Sequence, residues 1–155
     1  MKIEYRQARI IAATEGRNFN GYAVRWDDVT APLAELRGYK EKIKRGALRF
    51  DANTALFMGH AYENQVPLAR VGSGTMEVEE DNQGLAFRSV LPAWATAVQE
   101  SLERGDLAGA VSIGFVAEED EFDNRLRLRT VTAGYLHHVA LVMQGAYPNA
   151  NGVIE

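Results

Sequence analysis

A chain of 155 residues suits one domain spanning 1–155, and 46% hydrophobic with 25% charged residues is the balance of a globular protein with a core. Seventeen Lys and Arg against twenty-one Asp and Glu leave a net charge of −4, which argues against nonspecific nucleic-acid binding. The absence of cysteine excludes disulfides, zinc–thiolate and iron–sulfur sites and a thiol nucleophile.

The opening residues Met1 to Arg6 lack an apolar signal stretch, and no apolar run nears the roughly 20 residues that cross a bilayer. The expectation is a cytoplasmic protein without a membrane partner. Lys2 to Ala13 alternates in part and predicts an edge strand. After the turn Glu15 to Asn18, the segment Phe19 to Trp26 predicts a second strand. Asp27 to Lys44 is polar and irregular, with Pro32 and Gly38, and reads as a long connection holding a short helix. Thr54 to Met58 is a short apolar run that ends at Gly59-His60. Ala69 to Glu79 and Gly84 to Leu91 predict a hairpin with an acidic tip at Glu80 to Gln83.

Pro92 opens the clearest helix. Ala93, Trp94, Ala97, Val98, Ser101 and Leu102 share one face of a 3.6 period, and Gly105 is a natural stop. Ala110 to Ala117, Arg125 to Thr132 and Tyr135 to Met143 predict three more strands. The sum is an α+β protein of about seven strands, a mostly antiparallel sheet or barrel with peripheral helices.

Without cysteine, the candidate nucleophiles are Ser, Thr, Lys or a carboxylate. Alternation in Val111-Ser112-Ile113-Gly114-Phe115 turns Ser112 and Gly114 to one face, with room above the serine for a substrate. The plainer reading is a solvent-facing serine beside a bulge glycine. His60 stands at a strand end, a common catalytic position, or is an ordinary loop histidine. His137 and His138 are strand neighbours expected to point to opposite faces, so at most one joins a given site. In the plain reading one is core and hydrogen-bonded and the other exposed. The three features allow a serine–histidine device in which a second histidine fixes the tautomer of the first. A metal site of His60, one of the paired histidines and Glu63 matches no metal-ligand spacing.

Read in order, several blocks resemble the prohead (capsid maturation) proteases of tailed bacteriophages, which are similar to the herpesvirus assemblins. They are Gly21 to Val24; Tyr39 to Leu48; Leu56 to His60, with Gly59 where the family has Asn; Val71 to Thr75; Glu80 to Leu85; Glu103 to Phe115, around the nucleophile; and the closing Ala146-Tyr147-Pro148. The resemblance implies an assemblin-like barrel, Ser112 as nucleophile and His60 as general base. Many phage relatives carry an acidic third member where this chain has His138. His138 to Leu141 followed by Gly145 instead looks like the assemblin strand with a third histidine, which selects His138 over His137. The backbone N–H of Ala146, after Gly145, would serve the oxyanion hole.

The resemblance further implies a serine endopeptidase without cofactor or metal. Its partners would be the major capsid protein with its scaffold segment, its own tail by self-cleavage, and further copies in a homo-oligomer. It would work in the host cytoplasm, inside the assembling procapsid. The competing reading is a catalytically inactive capsid or scaffold structural protein with the same fold.

Overall fold

The computed structural model describes residues 16–26, 28–143, 147 and 149–155. The predicted strand at Lys2 to Ala13 lies outside the described residues. The elements are β1 (Asn18–Arg25), β2 (Lys40–Ile43), β3 (Leu48–Arg49), β4 (Ala55–Met58), β5 (Ala69–Arg70), β6 (Met76–Glu80), β7 (Gly84–Val90), α1 (Thr96–Arg104), β8 (Val111–Asp123), β9 (Leu128–Leu141) and β10 (Asn151–Ile154). Short 3-10 turns stand at Ala34–Leu36, Tyr62–Asn64 and Val71–Ser73.

The architecture is α+β and mostly strand. One sheet runs β10-β1-β7-β6 and is antiparallel throughout. The second is mixed and is organised by β9. Its whole length pairs antiparallel with β8. Its other edge takes β2, β3 and β4 in turn, all parallel, and β5 extends β4. The core between the sheets includes Phe19, Val24, Met76, Leu85 and Phe87 from the first, and Ile43, Leu56, Val111, Leu136, Val139 and Leu141 from the second. Phe19 and Phe87 meet at 5.5 Å between ring centroids. Truncating a buried phenylalanine of this kind costs about 3–5 kcal/mol.

Three sequence expectations need correction. The barrel does not close: among the described residues the strands form two open sheets. An isolated bridge, Ala110↔Asn151, joins them on one side. On the other side no ladder forms, because β5 has only two residues. The following N–H groups, of Val71 and Gly72, bond back to Thr54 and Ala52 instead of to a neighbouring strand. The expected strand over Ala69 to Glu79 is therefore broken. Gly74, at φ 75°, turns the chain from the second sheet into the first. Conversely, the two strands expected over Arg125 to Met143 are one. Gly134 marks no turn; a Cβ there would lie 2.6 Å from the Val116 carbonyl oxygen, so it marks a close strand approach. The split and the merger cancel; the ten strands among the described residues exceed the expected seven because β2, β3 and β10 were not foreseen, β2 lying within the stretch Asp27 to Lys44 read as an irregular connection.

The hairpin β6–β7 forms as expected. Asp81 Oδ1 accepts from the N–H groups of Gln83 (2.7 Å) and Gly84 (2.9 Å), closing its acidic tip. The helix starts later than predicted, because residues 92–95 form a turn before it. It ends as predicted at Gly105, φ 81°. Val98 and Leu102 pack on the core, whereas Trp94 is 61% exposed.

Candidate active site

Ser112 is the second residue of β8, paired with Ala140 of β9. Its neighbours Val111 and Ile113 are buried in the core, so the alternation that turns Ser112 the other way is enforced by packing. Gly114, two residues on, pairs with His138. His60 reaches the same region from β4. The N–H of Gly59 bonds to the Leu141 carbonyl at 2.8 Å, one step past the β4–β9 ladder. Gly59 then takes φ 72°, and the chain turns toward His60.

The two expected imidazoles meet. Nδ1 of His60 lies 2.8 Å from Nε2 of His138, with ring centroids 5.1 Å apart. Ser112 and His60 line one cavity of about 300 Å³. Among the described residues no hydrogen bond joins the Ser112 hydroxyl to His60. Gly145 and Ala146, the expected oxyanion positions, lie outside the described residues.

His137 corrects the sequence expectation. Adjacent strand residues should diverge, yet Nδ1 of His137 lies 2.8 Å from Nδ1 of His138. The cause is a β-bulge. Gly114 pairs with His138 and Phe115 with Leu136, so β9 has one extra residue, His137, at this step. Leu136 and Val139 both face the core, three positions apart, and the two histidines between them both face away from it. Thr54 Oγ1 donates to the Leu136 carbonyl at 2.9 Å, bracing the backbone beside the bulge. Tyr62 covers both rings, at 4.5 Å from His137 and 5.1 Å from His138.

His138 is only 4% exposed. Burial, reinforced by the neighbouring His60 and then His137, pushes its imidazole down to about 4. At neutral pH it is therefore an uncharged ring that can accept on one nitrogen and donate on the other.

The far wall of the cavity was not expected from sequence. It holds Glu41, Arg129 and Tyr147, under Leu33 and the 3-10 turn after it, which supplies Glu35 and Leu36. Glu41 is 5% exposed; it accepts from Tyr147 Oη (2.8 Å) and pairs with Arg129 (3.0 Å). Arg129 also bonds Asp120 through Nε at 2.9 Å. The Tyr147 hydroxyl, buried against that carboxylate, is pushed far above its ordinary value. Alternation in Lys40-Glu41-Lys42-Ile43 carried the signal: Glu41 shares the inward side with Ile43. Among the described residues, no group of three or more His, Asp or Glu side chains is arranged to hold a metal ion.

The family description of the caudovirus prohead serine proteases matches residues 2–154. The chain belongs to that family. No curated protein and no solved structure matches it. Membership in the prohead serine proteases gives the activity class, a phage serine protease of capsid maturation. The Gly59 position has a physical explanation in its backbone, at φ 72°. Glycine and asparagine are the residues that best tolerate positive φ, and a Cβ at Gly59 would meet nothing within 4 Å. Glycine therefore suits the turn before His60. Among the described residues no helix is long and apolar enough to cross a membrane.

Proposed function

We propose that this prohead protease hydrolyses peptide bonds in the scaffold segment of the major capsid protein through an acyl-enzyme on Ser112. His60 is the general base and His138 its orienting partner. The observation that carries this reading is the 2.8 Å approach of His60 Nδ1 to His138 Nε2, in a ring that shares its cavity with Ser112. That approach commits one nitrogen of His60 to His138 and leaves the other, Nε2, for the serine proton.

Ser112 Oγ attacks the scissile carbonyl carbon as His60 Nε2 takes the hydroxyl proton. The oxyanion forms opposite the N–H of Ala146, following Gly145; one such donor is worth about 3 kcal/mol. The C–N bond then breaks, and His60 returns the proton to the leaving amine. Water repeats the sequence in reverse and frees Ser112. The gap between Ser112 and His60 in the free protein closes when substrate arrives, as catalytic hydrogen bonds commonly do. A neutral His138 offers the imidazolium of His60 a dipole where a carboxylate offers a full charge, so turnover is slower than with an acidic third member. Confinement within the procapsid, in the host cytoplasm, offsets this with effective substrate concentrations on the order of mM. The chain's own tail and a homo-oligomer of protease copies belong to the same reading.

A serine-directed fluorophosphonate probe tests it. Labelling of the wild type at Ser112, lost in Ser112→Ala and nearly lost in His60→Ala, supports the protease. His138→Ala should keep a measurable remainder, because orientation is only part of the effect. Absence of labelling under conditions that assemble capsids would leave a structural capsid or scaffold protein with this fold.

A further inference from the structure

Three imidazoles form one hydrogen-bonded row: His60 Nδ1 to His138 Nε2, and His138 Nδ1 to His137 Nδ1, each at 2.8 Å. Only the first two have a part in the mechanism above. We propose that His137 is a positioning residue that sets the tautomer of His138, and through it decides whether His60 can act as a base. This rests on the reading of Ser112, His60 and His138 given above.

The argument is a count of protons. Each neutral ring carries one N–H, and each of the two gaps needs one. Two arrangements satisfy both gaps. In the first, His60 donates from Nδ1 to Nε2 of His138, and His138 donates from Nδ1 to Nδ1 of His137. His137 then keeps its proton on Nε2, and Nε2 of His60 carries a free lone pair. In the second, every hydrogen bond reverses. His137 donates to His138, His138 donates to His60, and the His60 proton sits on Nε2. That ring cannot take a proton from Ser112. Only the first arrangement is competent.

His137 makes the competent arrangement affordable. His138 is buried, and an N–H on its Nδ1 without an acceptor would be a buried unsatisfied donor. Nδ1 of His137 is that acceptor. His137 is only part-buried, so water can reach its side chain and accept from the proton that its other nitrogen must hold. The bulge is what makes this geometry available. A regular strand would turn His137 into the core side and leave His138 Nδ1 facing no ring.

The test uses the intact protein labelled with ¹⁵N-histidine, and long-range ¹H–¹⁵N spectra that report which ring nitrogen carries the proton. The wild type should show His138 protonated on Nδ1 and His60 on Nδ1. His137→Phe keeps the ring beneath Tyr62 but removes the acceptor. It should shift His138 toward Nε2–H and lower kcat about tenfold, the value of roughly one hydrogen bond, with KM unchanged. His137→Asn, whose Oδ1 falls near the position of the histidine Nδ1, should restore both the tautomer and most of the rate. Finding His138 protonated on Nε2 in the wild type would overturn the proposal, as would a His137→Phe variant with unaltered tautomers. A rate loss in His137→Phe that His137→Asn does not recover would also overturn it, since it would mark a packing role. Failure of Ser112 to label in the wild type would instead strike the protease reading, while the spectra would still report the alignment.

Discussion

The imidazole of His138 occupies the space a side chain on Gly114 would need. A Cβ built on Gly114 would lie 2.0 Å from Cε1 of His138 and within 2.6 Å of both ring nitrogens. The glycine two residues after the proposed nucleophile is therefore a seat for the His138 ring, the proposed third member of the site. Its φ is not in the left-handed region, so room for the ring, not backbone conformation, is what requires glycine here.

Gly114→Ala should displace His138 and break its bonds to His60 and His137. Catalytic misplacements of about 1 Å cost on the order of a hundredfold in rate. We expect a loss of that size in kcat, with the fold kept, read from peptide cleavage beside a circular dichroism melt. A fully active Gly114→Ala enzyme would mean that His138 has no part in the reaction.

Gly59→Asn should be nearly silent, because asparagine tolerates positive φ and the position is open. Gly59→Val should lower activity at least tenfold, since a β-branched residue at φ 72° is strained by roughly 1–3 kcal/mol and would re-aim His60. Steady-state kinetics of the two variants decide it; equal activity would refute a role for this turn.

Glu41 and Arg129 form a largely buried ion pair, with side-chain exposures of 7% and 16%. Glu41→Ala should cost about 3 kcal/mol, because it leaves Arg129 Nη1 and the Tyr147 hydroxyl without their carboxylate, Asp120 remaining only on Arg129 Nε. Replacing both partners by methionine should recover part of that loss, since the desolvation of both charges is removed together. Urea midpoints measure both effects. A double variant weaker than Glu41→Ala would show the pair to be net stabilising.

His138 gives stability a pH dependence of definite sign. Its proton binds near 6.5 in the unfolded chain but only at about 4 in the folded one. Between these values the unfolded state holds more protons, so stability falls as pH falls from about 6.5 to about 4, and this contribution is flat outside that window. His138→Gln lacks it. Melting temperatures of the two proteins across this range should converge as the pH is lowered; parallel curves would count against a buried neutral His138.

Much of the strand pattern was legible because packing enforces it. Leu85, Phe87 and Ser89 alternate against the core within Gly84 to Leu91, and Phe19 to Trp26 forms a strand where one was expected, although a bulge after Tyr22 leaves both Ala23 and Val24 buried. His60 and His138 were legible from family blocks, and the fold brings them together. The misses have local causes. A bulge breaks the alternation on which the exclusion of His137 relied, and nothing in Leu136-His137-His138-Val139 announces an extra residue. A break was expected between Thr132 and Tyr135, where Gly134 instead serves a close approach within one continuous strand. Glu41 and Arg129 are far apart in sequence, and their partnership arises only because β2 lies parallel against the start of β9. Val71 to Gly74 hid a corner between sheets inside an apparently continuous strand.

The single long strand β9 carries Arg129 near one end and His138 near the other, while Glu41, His60 and Ser112 arrive on separate neighbours. It thus serves as a common ruler for both walls of the cavity. Surface loops can lengthen or shorten without disturbing that scale, but one residue gained or lost along β9 would slide the arginine clamp against the imidazole row. Insertions compatible with function are therefore confined to the connections, and the interior of this strand is where the protein can least afford a change of length.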